Sequence, residues 1–332
     1  MHELNWGLPV ILYLFLAGVG AGAVTVSSSV LLRGGGGIFG GNSFAIARAG
    51  ALVGPLPVIL GTTLIVFELG QPFRALNLFK LINLSPMNIG SWLLGLFMTI
   101  SVLYALAFVP TFFPKLKHLD ERLKAPREAL AWICVPLGLG VAVYTGVMLG
   151  AMPARPLWNS PVLAFLFMIS ALSTGVAMIT LSRTLFHQNR LDSEPERRIE
   201  SRRDTGRIGR RFIEGEYVLT ASDLLLIGME LMIIFLFIMF AHLTVGDVKH
   251  AAAVLLPGGD LATMFWLGVV LVGLALPALA ELIYVVPKLV YHRQFSVPRR
   301  IEIAVATAVL FGGFALRYVV VVAGQVTSPV TL

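Results

Sequence analysis

Apolar runs and short polar stretches alternate along the whole chain. Eight runs are long enough to cross a bilayer as helices, at about 9–32, 45–67, 90–112, 129–151, 161–182, 221–244, 261–285 and 301–324. In hydrocarbon every backbone amide must be satisfied within its own segment, so runs of this length predict helices. The expectation is an all-α polytopic membrane protein, a single membrane domain over residues 1–332. The first run carries Gly18 and Gly22 in G-x-x-x-G register, a face on which another backbone can approach closely. The second is interrupted by Gly54-Pro55-Leu56-Pro57.

The polar stretches orient the runs. Threaded back and forth, they divide the 25 Lys and Arg residues into 20 on one side and 4 on the other, with Arg317 inside the last run. The positive-inside rule makes the richer side cytoplasmic and places both termini outside. The net charge of +7 follows from that bias, so it does not point to nucleic acid. Only 13% of residues are charged against 57% hydrophobic, too few charges to cover a soluble domain. The longest loop, about 183–220, mixes Arg with Asp and Glu and reads as a solvated cytoplasmic segment in reach of anionic lipid headgroups. The start of the chain lacks a basic region before its first apolar run, which is expected to remain as a span. One cysteine, Cys134, can form neither an internal disulfide nor an iron–sulfur cluster alone.

With this topology the distinctive polar residues gather at the outer face. They are Trp6 and Tyr13, the stretch from Glu68 to Trp92, the stretch from Tyr144 to Pro161, and Arg317-Tyr318 with Gln325. Arg74, Asn77 and Lys80 recur three residues apart, which suits a short amphipathic helix lying on the membrane surface. Trp residues at this level also fit an aromatic belt. Glu68 and Arg317 need partners or water, because ionisable groups in a span are costly. In the inner half, Asp223 and Glu230 lie seven residues apart on one helix face. With Glu281 and Arg183 they form a possible proton path, or else structural ion pairs.

Several of these segments, in order, resemble the NrfD/polysulfide reductase membrane-subunit family. They are Tyr13-Leu-Phe-Leu-Ala-Gly-Val-Gly-Ala-Gly-Ala23, Glu68-Leu-Gly-Gln-Pro72, Ser85-Pro-Met-Asn-Ile-Gly-Ser-Trp92, Tyr144-Thr-Gly146, Pro156-Leu-Trp-Asn159, Ser170-Ala-Leu-Ser-Thr-Gly175 and Gly312-Gly-Phe-Ala-Leu-Arg-Tyr318 with Ala323-Gly-Gln325. The resemblance implies two four-helix bundles in a prokaryotic cytoplasmic membrane. It implies a quinone or quinol pocket (menaquinone or ubiquinone) near the outer face. It also implies partners: a four-cluster ferredoxin-like iron–sulfur subunit and a catalytic subunit of molybdopterin type. Arg74, Lys80, Trp92, Trp158 and Asn159 are the residues expected to face them.

The family motifs match Tyr144 to a tyrosine that hydrogen-bonds a quinone oxygen, and Glu68 to the acid of its D/E-L-G-x-P motif. Tyr13 stands roughly where some members carry a quinone-contacting histidine, and Pro9 where they carry an asparagine. The chemistry is consistent with these residues. A quinone needs hydrogen-bond donors at its carbonyl oxygens and a route for two protons. Tyr13 and Tyr144 can donate, Glu68 can relay a proton if burial raises its pKa, and Arg317 is a further pocket candidate. Of the six histidines only His242 falls within a predicted span, so no haem is expected between paired helix histidines. No metal-ligand cluster is legible either. Two other functions share the architecture: a proton-translocating, energy-coupling subunit, and a secondary transporter, which would carry inverted repeats with broken helices.

Overall fold

The computed structural model describes residues 6–34, 40–68, 85–113, 117–152, 154–186, 208–244, 246–291 and 297–327. Among them there is helix and no strand. Eight helices are long and apolar enough to span a bilayer: Leu8–Arg33, Phe44–Glu68, Pro86–Thr111, Lys124–Gly150, Pro161–Phe186, Tyr217–Leu243, Met264–Pro287 and Arg299–Val326. These agree with the eight expected runs to within a few residues at most ends. The protein is a multi-pass membrane protein.

In chain order the helices are α1 (Leu8–Gly34), α2 (Gly40–Val53), α3 (Pro55–Glu68), α4 (Pro86–Phe108), α5 (Lys117–Arg122), α6 (Lys124–Gly150), α7 (Pro161–Phe186), α8 (Ile208–Leu243) and α9 (Asp247–Ala253). A π-helix, Met264–Ala275, runs directly into α10 (Leu276–Tyr291), and α11 (Arg299–Val326) is the last helix. Local chemistry sets several starts. Ser85 accepts a hydrogen bond from the Asn88 amide and Pro86 opens α4, a side-chain cap followed by a pre-set φ. The second span breaks between α2 and α3, where Pro55 cannot donate to the preceding turn. The charged segment before Tyr217 continues α8 back to Ile208, so part of the expected 183–220 loop is helix.

α1 lies at the centre, packed against α2, α3, α6 and α7, while α7 also meets α8 and α11. Small residues permit this. A Cβ at Gly22 would land on the Ala171 carbonyl of α7, and one at Gly175 would meet the Gly22 backbone. The Gly18–Gly22 face is therefore a packing face, against α7 and α11. Gly20, on another side, faces the break in the second span at Gly54 and Val58. Gly273 of the π-helix and Gly312 of α11 meet the same way.

Each end of the bundle has a polar clasp. At one end the buried Arg127 pairs with Asp120, donates from Nε to the Ala107 carbonyl at 2.7 Å, and lies over the Phe44 and Phe108 rings. At the other, the Trp6 amide donates to Gln325 Oε1 at 2.8 Å and Arg155 donates to the Gln325 carbonyl at 2.9 Å. We call this second end outer, after the charge bias. Trp158 belongs to its clasp. The expectation that Trp158 faces a partner is corrected: it is 2% exposed, donates from Nε1 to the Val320 carbonyl at 2.7 Å, and packs on Trp6 with ring centroids 5.2 Å apart. Gly324 leaves the space its indole fills.

Candidate functional site

At the outer end, α1, α3, α4 and α6 bring two phenols together. Tyr13 is buried on α1, where Gly61 of α3 comes close enough that a Cβ there would sit 3.3 Å from the Tyr13 carbonyl. Tyr144, half-buried on α6, is near enough to Tyr13 for the two to interact electrostatically. Its ring lies against Gly90 of α4, where any Cβ would fall inside the ring. The Tyr144 hydroxyl donates to the Met148 thioether at 3.5 Å. Sulfur is a weak acceptor, so a carbonyl oxygen arriving there is a better partner for that proton.

Glu68 ends α3 on the same side, with Oε1 3.7 Å from where a Cβ of Gly7 would stand. Its carboxylate is exposed and lies beside the start of α1. The structure thus gathers Tyr13, Tyr144 and Glu68 at one end of four packed helices, with Tyr144 and Glu68 still reachable from outside the chain. Trp92 and Asn159 are exposed at this end. Arg74 and Lys80 lie outside the described residues.

Arg317 is placed elsewhere. Its guanidinium is 0% exposed and rests against Phe15 and Phe167 at 5.9 and 5.3 Å. A Cβ at Gly18 would stand 2.9 Å from its Nη2. It therefore occupies the α7–α11 face of α1, whereas the Tyr13 backbone lies against Gly61 of α3. Among the described residues, Arg317 hydrogen-bonds within the second half of the chain. Nη1 donates to Ser170 Oγ and to the Gly313 carbonyl, both at 2.8 Å, while Nε and Nη2 are buried without a hydrogen-bond partner in the structure.

From Arg317 a series of polar side chains runs inward between α7, α8, α10 and α11. Glu230 interacts with Arg317 and with the Ser170 hydroxyl. Two turns along α8, Asp223 accepts from Ser173 Oγ at 3.1 Å and is in hydrogen-bond contact with Glu281 of α10. All three carboxylates are buried. Glu302, at the start of α11, accepts from Thr184 at 3.0 Å and interacts with Arg183. So Asp223, Glu230 and Glu281 are joined, and Arg183 stands beside Glu302.

Ser170, Ser173, Thr184 and Glu302 escaped the sequence reading as site residues, as did the notches at Gly61 and Gly90. The two serines were visible as a three-residue spacing in an otherwise apolar run. That they face acids seven residues apart on the neighbouring helix needed the helix pairing.

Compared with known proteins, residues 1–329 match the family model described as Polysulphide reductase, NrfD. The relatives include the C subunit of polysulfide reductase from Wolinella succinogenes, 28% identical over 336 residues, covering 98% of this protein and 95% of that one. Protein NrfD of Escherichia coli is 30% identical over 340 residues, covering 98% and 96%. A protein NrfD homolog of Haemophilus influenzae is 28% identical at similar coverage.

Proposed function

The chain belongs to the NrfD polysulphide reductase family, and from that premise we propose that it is the quinone-reactive membrane subunit of a respiratory oxidoreductase in a prokaryotic cytoplasmic membrane. The carrying observation is the proximity of Tyr13 and Tyr144 at the outer end, the Tyr144 ring seated on Gly90, with Glu68 on the same rim. A quinone, once bound, accepts two electrons and two protons, or returns them as quinol. Tyr144 is placed to give its hydroxyl proton as a hydrogen bond to a carbonyl oxygen, exchanging the Met148 sulfur for a stronger acceptor. Tyr13, enclosed, keeps water from the other side of the headgroup. Glu68, exposed, passes protons between site and solvent.

Electrons then come from or go to a docked iron–sulfur subunit, which serves a catalytic subunit. Its docking surface on this protein is the outer rim that includes Trp92 and Asn159. Both termini lie on that side, and the spans form two four-helix bundles meeting at α1 and α7.

The buried series Arg317–Ser170–Glu230 and Ser173–Asp223–Glu281 favours a second reading, in which the subunit also moves protons from the inner side. Ionisable groups at this depth are costly and commonly serve transport. The gap to Tyr13 is α1 itself, since Arg317 and Tyr13 lie on different faces of it.

The test is Tyr144→Phe in the assembled complex. Quinone-linked turnover should fall by about 10²-fold, the lower bound for a lost proton-transfer group, while subunit stoichiometry is unchanged. Wild-type turnover in that variant removes Tyr144 from the reaction and with it the proposal.

A further inference from the structure

At the inner end, a small cleft opens between α7, α8, α10 and α11. Thr220, Asp223, Glu281, Tyr284 and Glu302 supply its polar lining; Ile301, Val305 and Ala306 are among its apolar walls. It extends to the start of α11, the end that the charge bias assigns to the cytoplasm.

The deepest acids in this cleft are short of positive charge. Asp223 is held by Ser173 and also interacts with Glu230 and Glu281, both acids. Glu281 is 6% exposed and touches Asp223, and among the described residues its buried Oε2 has no hydrogen-bond partner. Among the described residues, two nearby cations interact with other acids: Arg317 with Glu230, and Arg183 with Glu302. Two carboxylates in contact need positive charge between them, and one proton meets half of that need. The cleft brings solvent to the remaining charge.

We propose that the Asp223–Glu281 pair is a binding site for a monovalent alkali cation entering from the inner side. Hard oxygen donors suit such an ion, and the small cleft offers carboxylate, threonine hydroxyl and phenol oxygens. Ser173 fixes the Asp223 carboxylate from behind. A divalent ion is less well served. With a proton between them the two carboxylates carry a single net negative charge, which matches a monovalent ion. The site is independent of the quinone reading, because it lies on other helices and at the other end of the bundle.

The experiment is equilibrium binding of ²²Na⁺ to the purified complex, with choline chloride holding ionic strength constant. The expected result is saturable binding, one ion per copy of this protein, displaced by unlabelled Na⁺ and not by choline. Glu281→Gln and Asp223→Asn should each weaken it by ~10-fold or more, while Asp247→Asn, on the outer helix α9, leaves it unchanged. Should either cleft variant fail to assemble, Ser173→Ala loosens Asp223 without removing charge and should still weaken binding. Tyr144→Phe should bind ²²Na⁺ normally, which separates this site from the outer one. Absence of saturable ²²Na⁺ binding in the wild type, meaning the pair takes protons alone, overturns the proposal. Unaltered affinity in both Glu281→Gln and Asp223→Asn overturns it as well.

Discussion

Gly90→Ala is the sharpest probe of the outer site, because it adds one methyl group at a place where the geometry leaves none. The new Cβ would fall inside the Tyr144 ring, so the phenol must swing away or α4 and α6 must part. Overpacking of this kind costs about 1–3 kcal/mol, well within what a large assembled membrane protein tolerates. The displacement matters more than the energy. Moving a ring clear of a new methyl takes it on the order of 1 Å or more, and a shift of that size in a positioned group can lower turnover about 10²-fold. Gly140→Ala is the control on the same helix pair. Its Cβ would stand 3.3 Å from Leu93 side-chain carbons, which can yield.

The assay is quinone-linked turnover of purified complex, with kcat and KM separated and subunit composition checked by size exclusion. Gly90→Ala should behave like Tyr144→Phe, and the double variant should be no worse than Tyr144→Phe alone, since both remove one function. Gly140→Ala should retain near wild-type turnover. Wild-type turnover in Gly90→Ala would refute the reasoning. So would a double variant whose losses multiply, because the glycine would then act on something other than the phenol.

Other expectations address the fold. Gly22→Val drives a side chain into the Ala171 carbonyl of α7 and should abolish assembly, whereas Gly228→Ala, with nothing within 4 Å, should be neutral or stabilising by about 0.5–1 kcal/mol; thermal unfolding of the purified complex compares them. Trp158→Phe loses the bond to the Val320 carbonyl and part of the Trp6 contact, and should cost about 1–3 kcal/mol, read as a lowered Tm. Arg317→Met leaves Glu230 buried without its cation and should destabilise by about 3–5 kcal/mol, unless Glu230→Gln is made with it, when most of the loss should return. A reporter fused after Leu332 should score as extracytoplasmic; a cytoplasmic signal would reverse the topology.

Much of the fold was legible because membrane spans are set by local properties. Length and hydropathy locate a span whatever packs beside it, which is why the eight runs and the eight helices coincide. Charge bias orders the loops by the same one-dimensional logic. The outer site was half legible: Tyr13, Tyr144 and Glu68 stand out as polar groups in or beside apolar runs, and the structure brings them to one end. Arg317 showed the limit. Its position in the last span marked it as a buried polar group, but helix rotation sends it to the α7–α11 side of α1. Trp158 likewise looked like a surface aromatic until the Gly324 notch took it in.

The sequence by itself determined that this protein is a bundle of eight membrane helices, and it determined which residues are too polar to be idle there. Which of them meet was decided only in three dimensions. Helix ends and hydropathy depend on neighbours along the chain, whereas the faces that touch depend on rotations fixed by small residues on other helices. Gly90 making room for Tyr144, and Ser170 and Ser173 meeting Glu230 and Asp223, are facts about pairs of helices, and no single helix contains them.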